Sequence, residues 1–224
     1  MAKAASAAIP AILLGGREAR HLRVPKQSLP FGDTTVLGKT LRAYLDAGVS
    51  EVVVVLGYKA DQILATLGPV PSNVRIVKNP LFEEGMATFM KAGLRELPAD
   101  MKAFCVGICD QPLLTGELIR EFIDAFLKGG KKVLVPVQQT NLGMPVILDA
   151  SLADEIQALP AHGELWDVVR RHGDDLIDHP TGYTAVIRSI EDQDDYHDML
   201  RIAGLKIPEI PSPPAMPDED VPPA

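Results

Sequence analysis

Five consecutive residues, Val52-Val53-Val54-Val55-Leu56, offer no polar side chain to either face of a strand. Side chains of a strand alternate between two faces, so a run apolar at every position must be covered on both. That is the position of an inner strand in a sheet sandwiched by helices. Residues 9–14, 51–56, 74–78, 103–109, 133–137, 145–148 and 185–187 form short apolar runs that read as strands. Helical stripes lie between them. Leu37, Leu41 and Leu45 recur at i+4, as do Leu118, Phe122 and Phe126, with Ile119, Ile123 and Leu127 alongside; Leu165, Val168, Val169 and His172 form a third stripe. Strand and helix alternating through short connections predict right-handed crossovers. The expected architecture is α/β: one domain over residues 1–205 with a mostly parallel, doubly wound sheet and helices on both faces. Ligands of such sheets bind outside the carboxyl ends of the strands, where strand order reverses. The residues after Leu14, Cys109 and Ile187 are therefore the ones to read closely.

Composition narrows the setting. Of 224 residues, 46% are hydrophobic and 23% charged, which suffices for a full core. No apolar run approaches the roughly 18 residues of a membrane span. The first residues carry one positive charge and a short apolar run that meets a glycine turn, so no secretion signal is expected. Cys105 and Cys109 share one run and cannot pair within a strand; a reduced, cytoplasmic protein is the simplest expectation. A net charge of −8 argues against nucleic acid as a partner, because a phosphate backbone requires dense Lys and Arg. Residues 206–224 contain seven prolines and four acids against one lysine, the composition of a disordered tail. Without them the body carries −5.

The first strand candidate ends in Gly15-Gly16-Arg17-Glu18-Ala19-Arg20, followed by Pro25-Lys26-Gln27. Two glycines allow backbone N–H groups to turn toward an anion, and Arg17, Arg20, Arg23 and Lys26 concentrate positive charge at one mouth. A triphosphate-binding loop and a solvated basic loop both fit these residues. The loop is no P-loop: Gly38-Lys39-Thr40 has Asp33 where that motif requires glycine. The fourth strand candidate ends at Asp110-Gln111-Pro112. A carboxylate there suits a Mg²⁺ ion beside a substrate phosphate, and equally suits capping of the helix that starts near Thr115. Ser189 to Tyr196 reads mainly as an acidic helix start, from which Glu191 can point back to the sheet. The histidines lack metal-ligand spacing and no Gly-x-Ser-x-Gly occurs, which removes zinc chemistry and serine hydrolysis.

Four segments then fall in one order: Ala11-Ile12-Leu13-Leu14-Gly15-Gly16-Arg17-x-x-Arg20 with Pro25-Lys26-Gln27-x-Leu29-Pro30-Phe31-Gly32; Lys78-Asn79-Pro80-x-Phe82-Glu83-Glu84-Gly85-Met86; Asp110-Gln111-Pro112-Leu113; and Gly143-x-Pro145-Val146. This order resembles the MobA-like nucleotidyltransferase family, and within it the molybdenum cofactor cytidylyltransferases, over residues 9 to 200. The resemblance implies a Rossmann-like fold that binds a nucleoside triphosphate with Mg²⁺, CTP being favoured. A terminal phosphate of molybdopterin would attack the nucleotide α-phosphorus and release pyrophosphate. It further implies roles for residues. Lys26, Asp110 and Arg20 would be catalytic. Leu14, Gly15, Gly16, Arg17, Lys26, Asn79, Gly85, Thr88 and Gln111 would bind nucleotide. Asp110 and Glu191 would hold the metal, with Glu191 standing where the family usually has aspartate. An apo-molybdoenzyme would be a possible partner.

Several positions depart from the pattern. Glu18 replaces a small residue, His21-Leu22-Arg23-Val24 lengthens the first loop, Met144 replaces asparagine or histidine, Phe89 replaces a small polar residue, and Cys109 replaces glycine. Cytidine-specific members resemble Leu-Ala-Ala-Gly at the first turn and guanosine-specific ones Leu-Ala-Gly-Gly, so Gly15 points to GTP. Gln111-Pro112, Glu84-Gly85-Met86 and Pro145-Val146 point to CTP. A guanylyltransferase, a nucleotidyltransferase for another small phosphorylated substrate, and a non-catalytic cofactor-binding accessory protein are the alternatives.

Overall fold

The computed structural model describes residues 9–15, 22 and 24–208. Strand β1 (Ala11–Gly15) lies between β4 (Val52–Leu56) and β6 (Ala103–Ile108), parallel to both. Beyond β4 the sheet continues with parallel β5 (Val74–Lys78). Beyond β6 comes β9 (Val146–Asp149), antiparallel to β6 and to its other neighbour, β7 (Val133–Gln138). Parallel β10 (Leu176–Pro180) completes that edge, and β8 (Asn141–Leu142) pairs with the end of β7. A separate two-stranded hairpin joins β2 (Pro30–Phe31) to β3 (Thr34–Thr35).

Strand alternation divides the core into two layers. Ala11, Leu13, Val52, Val54, Leu56 and Cys105 face α1 (Val36–Ala47), α2 (Ala60–Leu67) and α4 (Gly116–Gly129). Ile12, Leu14, Val53, Val55, Phe104 and Val106 face α3 (Met86–Leu94), α5 (Ala153–Gln157) and α6 (Leu165–Arg171). The valine run is thus covered on both sides, as its composition requires. A satellite core docks α7 (Gln193–Ile202) on the β2–β3 hairpin through Leu29, Phe31, Ile190, Tyr196, Met199 and Leu200, with the Tyr196 hydroxyl donating to the Pro30 carbonyl at 2.6 Å.

The Rossmann-like, mostly parallel α/β architecture matches the expectation from sequence, with three local corrections. Residues 185–187 are not a strand; a 3₁₀ turn (Thr184–Val186) buries Val186 against the sheet, which explains the apolar composition without a ladder. The antiparallel β9 breaks the parallel series because residues 139–145 are too short for a crossover. β10, unforeseen, is a half-exposed edge strand whose Leu176-Ile177-Asp178-His179-Pro180 pattern is weak. Among the described residues no helix is long and apolar enough to cross a membrane. Most of the 206–224 tail lies outside the described residues.

One buried polar atom stands out. Tyr44 is fully buried in α1, its hydroxyl has no hydrogen-bond partner among the described residues, and a Cβ on Gly107 of β6 would lie 1.8 Å from that oxygen. Glycine at 107 is therefore what makes room for the phenol. An unpartnered buried hydroxyl carries its desolvation cost uncompensated. Tyr44→Phe should raise the urea midpoint at unchanged slope, by about 1 kcal/mol of unfolding free energy. A lowered midpoint would show that the hydroxyl has a partner in solution.

Candidate active site

From β1 the chain leaves through α1 toward β4 and β5; from β6 it leaves through α4 toward β7. Strand order therefore reverses between β1 and β6, and the crevice at their carboxyl ends is where such folds bind ligands. Asp110 lies there, just past β6. The other reading of this residue, as a helix cap, is removed by the geometry, since α4 is capped by Thr115, whose hydroxyl accepts from the Leu118 amide at 3.3 Å.

Lys26 meets Asp110 from the other side. It opens a one-turn 3₁₀ segment (Lys26–Ser28) behind Pro25, whose ring fixes the entry. Its Nζ lies 2.5 Å from Asp110 Oδ2, donates to the Ile190 carbonyl at 2.7 Å, and lies 3.5 Å from Glu191 Oε1. Docking of α7 on the hairpin is what carries Ile190, 164 positions along the chain, and Glu191 beside it to the lysine. Asp192 caps α7 by accepting from the Asp195 amide at 2.9 Å, which leaves Glu191 outside the helix. Ser189 takes no part in that cap and donates to Glu191 Oε1 at 3.1 Å.

Exposure is graded across the cluster: the side chains of Asp110, Lys26 and Glu191 are 7%, 12% and 71% exposed. Burial alone would lower the Lys26 amine, but the charge and hydrogen bonds of Asp110 and Glu191 outweigh it and hold the amine above the ordinary lysine value. Burial pushes the Asp110 carboxyl up against the pull of Lys26, with Glu191 adding to the rise. A contact of 2.5 Å with a carbonyl completing the lysine's shell favours the ion pair.

Other predicted nucleotide-site residues sit past the carboxyl ends of strands and at the start of α3. Asn79 follows β5 and is buried; its amide donates to Thr88 Oγ1 at 2.8 Å and its carbonyl accepts from the Leu81 amide at 3.1 Å. The Thr88 hydroxyl reaches the Gly85 carbonyl at 2.7 Å. Gly85 starts α3 at φ 138°, and a Cβ there would lie 2.3 Å from the Ala161 carbonyl, so only glycine fits. Gln111 is 1% exposed and donates to the Val186 carbonyl at 2.9 Å, while its Oε1 has no partner among the described residues. Its observed contact is to the segment leading to Glu191, a link with no signal in the sequence. Leu14 is packed in the second core layer. Gly15 ends β1, and a Cβ on it would lie 2.6 Å from Cys109 Sγ and 2.9 Å from Leu56 Cδ2. Gly16, Arg17, Glu18 and Arg20 lie outside the described residues.

Cys109 is buried and burial pushes its thiol up, so it is packing and not a nucleophile. Among the described residues no group of three or more His, Cys, Asp or Glu is arranged to hold a metal ion. Asp110 and Glu191 make a two-carboxylate site, enough for a hard cation that keeps waters and phosphate oxygens as its other ligands. The Lys26 ammonium between them already stands in for a cation, so the donor set fits.

A switch-point crevice in a doubly wound sheet, with a lysine and an acidic pair at its mouth, is where an α/β protein of this kind binds its ligand. The model of the MobA-like NTP transferase domain matches residues 11–176, and the chain belongs to that family. Solved structures share the fold. Rv0371c from Mycobacterium tuberculosis H37Rv is 24% identical over 88% of this chain and 99% of its own, with a TM-score of 0.75; it has also been solved in complex with manganese. A nucleotidyl transferase from Methanothermobacter thermautotroptrophicus is 21% identical over 85% and 95%, with a TM-score of 0.72. Molybdopterin-guanine dinucleotide biosynthesis protein A from Archaeoglobus fulgidus is 15% identical over 88% and 99%, with a TM-score of 0.66. No curated protein sequence matches the chain.

Proposed function

We propose that this protein is a Mg²⁺-dependent cytidylyltransferase that transfers CMP from CTP to a molybdopterin-type acceptor and releases pyrophosphate. The observation that carries the reading is the Lys26–Asp110–Glu191 cluster at the β1–β6 reversal of a MobA-like fold. Phosphoryl and nucleotidyl transfer require alignment and positive charge and little covalent chemistry, which is what these residues supply. An acceptor phosphate oxygen forms a bond to the α-phosphorus as the bond to the bridging oxygen breaks, and pyrophosphate carries away the electron pair. Asp110 and Glu191 would hold the divalent cation, which when bound screens the triphosphate's negative charge. Lys26 would neutralise charge that grows on the leaving phosphates, together with Arg17 and Arg20 of the first loop. Asn79, Thr88 and Gly85 set the turn at the nucleoside end, and Gln111 fixes the segment that bears Glu191.

CTP is favoured over GTP because the sequence feature pointing to GTP has another cause. Gly15 is required by the bulk of Cys109 opposite it, which leaves Gln111-Pro112, Glu84-Gly85-Met86 and Pro145-Val146 as the nucleotide signature.

Calorimetric titration with Mg²⁺ and each of CTP, GTP, ATP and UTP tests the reading. CTP should bind at least about tenfold more tightly than the others, a difference one or two base hydrogen bonds can supply. A preference for GTP would move the assignment to guanylyl transfer. Failure to bind any triphosphate would replace it with a non-catalytic accessory role.

A further inference from the structure

We propose that Lys26 is a built-in counter-ion that occupies the acidic pair until a metal–nucleotide complex displaces it, so that free metal is excluded from the empty enzyme. The proposal rests on Asp110 and Glu191 being the metal-holding pair. It adds that the site is closed at rest by the chain's own ammonium.

The geometry is direct. The ammonium touches Asp110 Oδ2 at 2.5 Å and lies 3.5 Å from Glu191 Oε1, within reach of both carboxylates. A Mg²⁺ ion takes its oxygen ligands at about 2.1 Å, so one bound to both carboxylates would occupy the volume Nζ now fills. Two cations that close, beside a carboxylate as buried as that of Asp110, repel strongly. The lysine must leave when the metal arrives.

The backbone does not need to follow. Pro25 and the 3₁₀ turn hold the Cα, with the Ser28 amide donating to the Pro25 carbonyl at 2.9 Å and the Val36 amide to the Leu29 carbonyl at 2.9 Å. Four methylene groups on a fixed anchor allow the amine to swing between partners. The Ile190 carbonyl accepts from Nζ at 2.7 Å, so the resting position satisfies the amine without substrate. Once the metal takes the carboxylates, the amine needs a new anion, and the triphosphate supplies one. Free metal offers no such anion; a metal–triphosphate complex does. The exchange thus couples metal and nucleotide binding, each favouring the other.

Mn²⁺ binding to the nucleotide-free protein, followed by electron paramagnetic resonance at pH 8, reads this without turnover. Lys26→Met and Lys26→Gln should bind Mn²⁺ about tenfold or more tightly than the native chain, the scale of a typical coupling between sites, and Asp110→Asn should bind it more weakly. If the Lys26 variants match the native affinity while Asp110→Asn is weakened, displacement is wrong and the metal assignment stands. If Asp110→Asn leaves Mn²⁺ affinity unchanged, the assignment itself fails and displacement falls with it. A second measurement needs no variant. Saturating Mg²⁺ with CTP should change acylation of the Lys26 amine severalfold, measured by peptide mass spectrometry, with exposed Lys78 and Lys132 constant. Unchanged labelling would overturn the proposal.

Discussion

Asp110→Asn should lower pyrophosphate release by about three orders of magnitude at saturating triphosphate, the scale set by removing a charged group aimed at a transferring phosphate. The fold should survive. The residue is buried just past the carboxyl end of β6 but belongs to neither apolar core layer, and asparagine matches its shape. The lysine is not stranded by the change, because the Ile190 carbonyl still accepts from it at 2.7 Å and Glu191 lies 3.5 Å away. Breaking a buried ion pair costs several kcal/mol when a charge is left bare; with those partners in place the loss should stay near 2 kcal/mol, read as a shift of the urea midpoint. Activity and stability therefore separate. Turnover within tenfold of native would remove Asp110 from the catalytic machinery, and a chain that fails to fold would make its role structural.

How far the site could be read in advance depended on how far apart its parts lie in the chain. Val52 to Leu56 declared a doubly covered strand from five residues alone, and the position of Asp110 followed from the strand before it. Lys26 was legible as a charge near a glycine turn, whereas its pairing with Asp110 and with the Ile190 carbonyl was not. Ile190 contributes only a carbonyl, which any residue could supply. It reaches the lysine because α7 packs Tyr196, Met199 and Leu200 on a hairpin early in the chain. Gln111 shows the same limit: its place after the strand was visible, but its partner is the backbone of Val186. The run at 185–187 shows the converse, where burial alone produced a strand-like composition in a 3₁₀ turn.

Gly15 is the residue whose reading changes most, and a double-mutant cycle tests the change. Its φ is not in the left-handed region, so alanine is allowed by the backbone; what forbids it is the contact of 2.6 Å to Cys109 Sγ and 2.9 Å to Leu56 Cδ2, both fully buried. Gly15→Ala should cost about 3 kcal/mol, the upper range for overpacking where neighbours cannot yield. Cys109→Gly should cost about 2 kcal/mol through the void it leaves and the backbone freedom it adds. Together they exchange volume across one contact, so the double variant should be more stable than the sum of the two losses by about 2 kcal/mol. By the resemblance, Cys109 stands where the family has glycine and Gly15 where its cytidine-specific members have alanine, and the contact between them leads us to read the pair as one compensated swap. It follows that the double variant keeps the native order of nucleotide affinities. If Gly15→Ala with Cys109→Gly reverses the CTP and GTP order instead, Gly15 senses the base and the preference for CTP loses its ground. If the two losses simply add, the side chains do not share the space the geometry gives them.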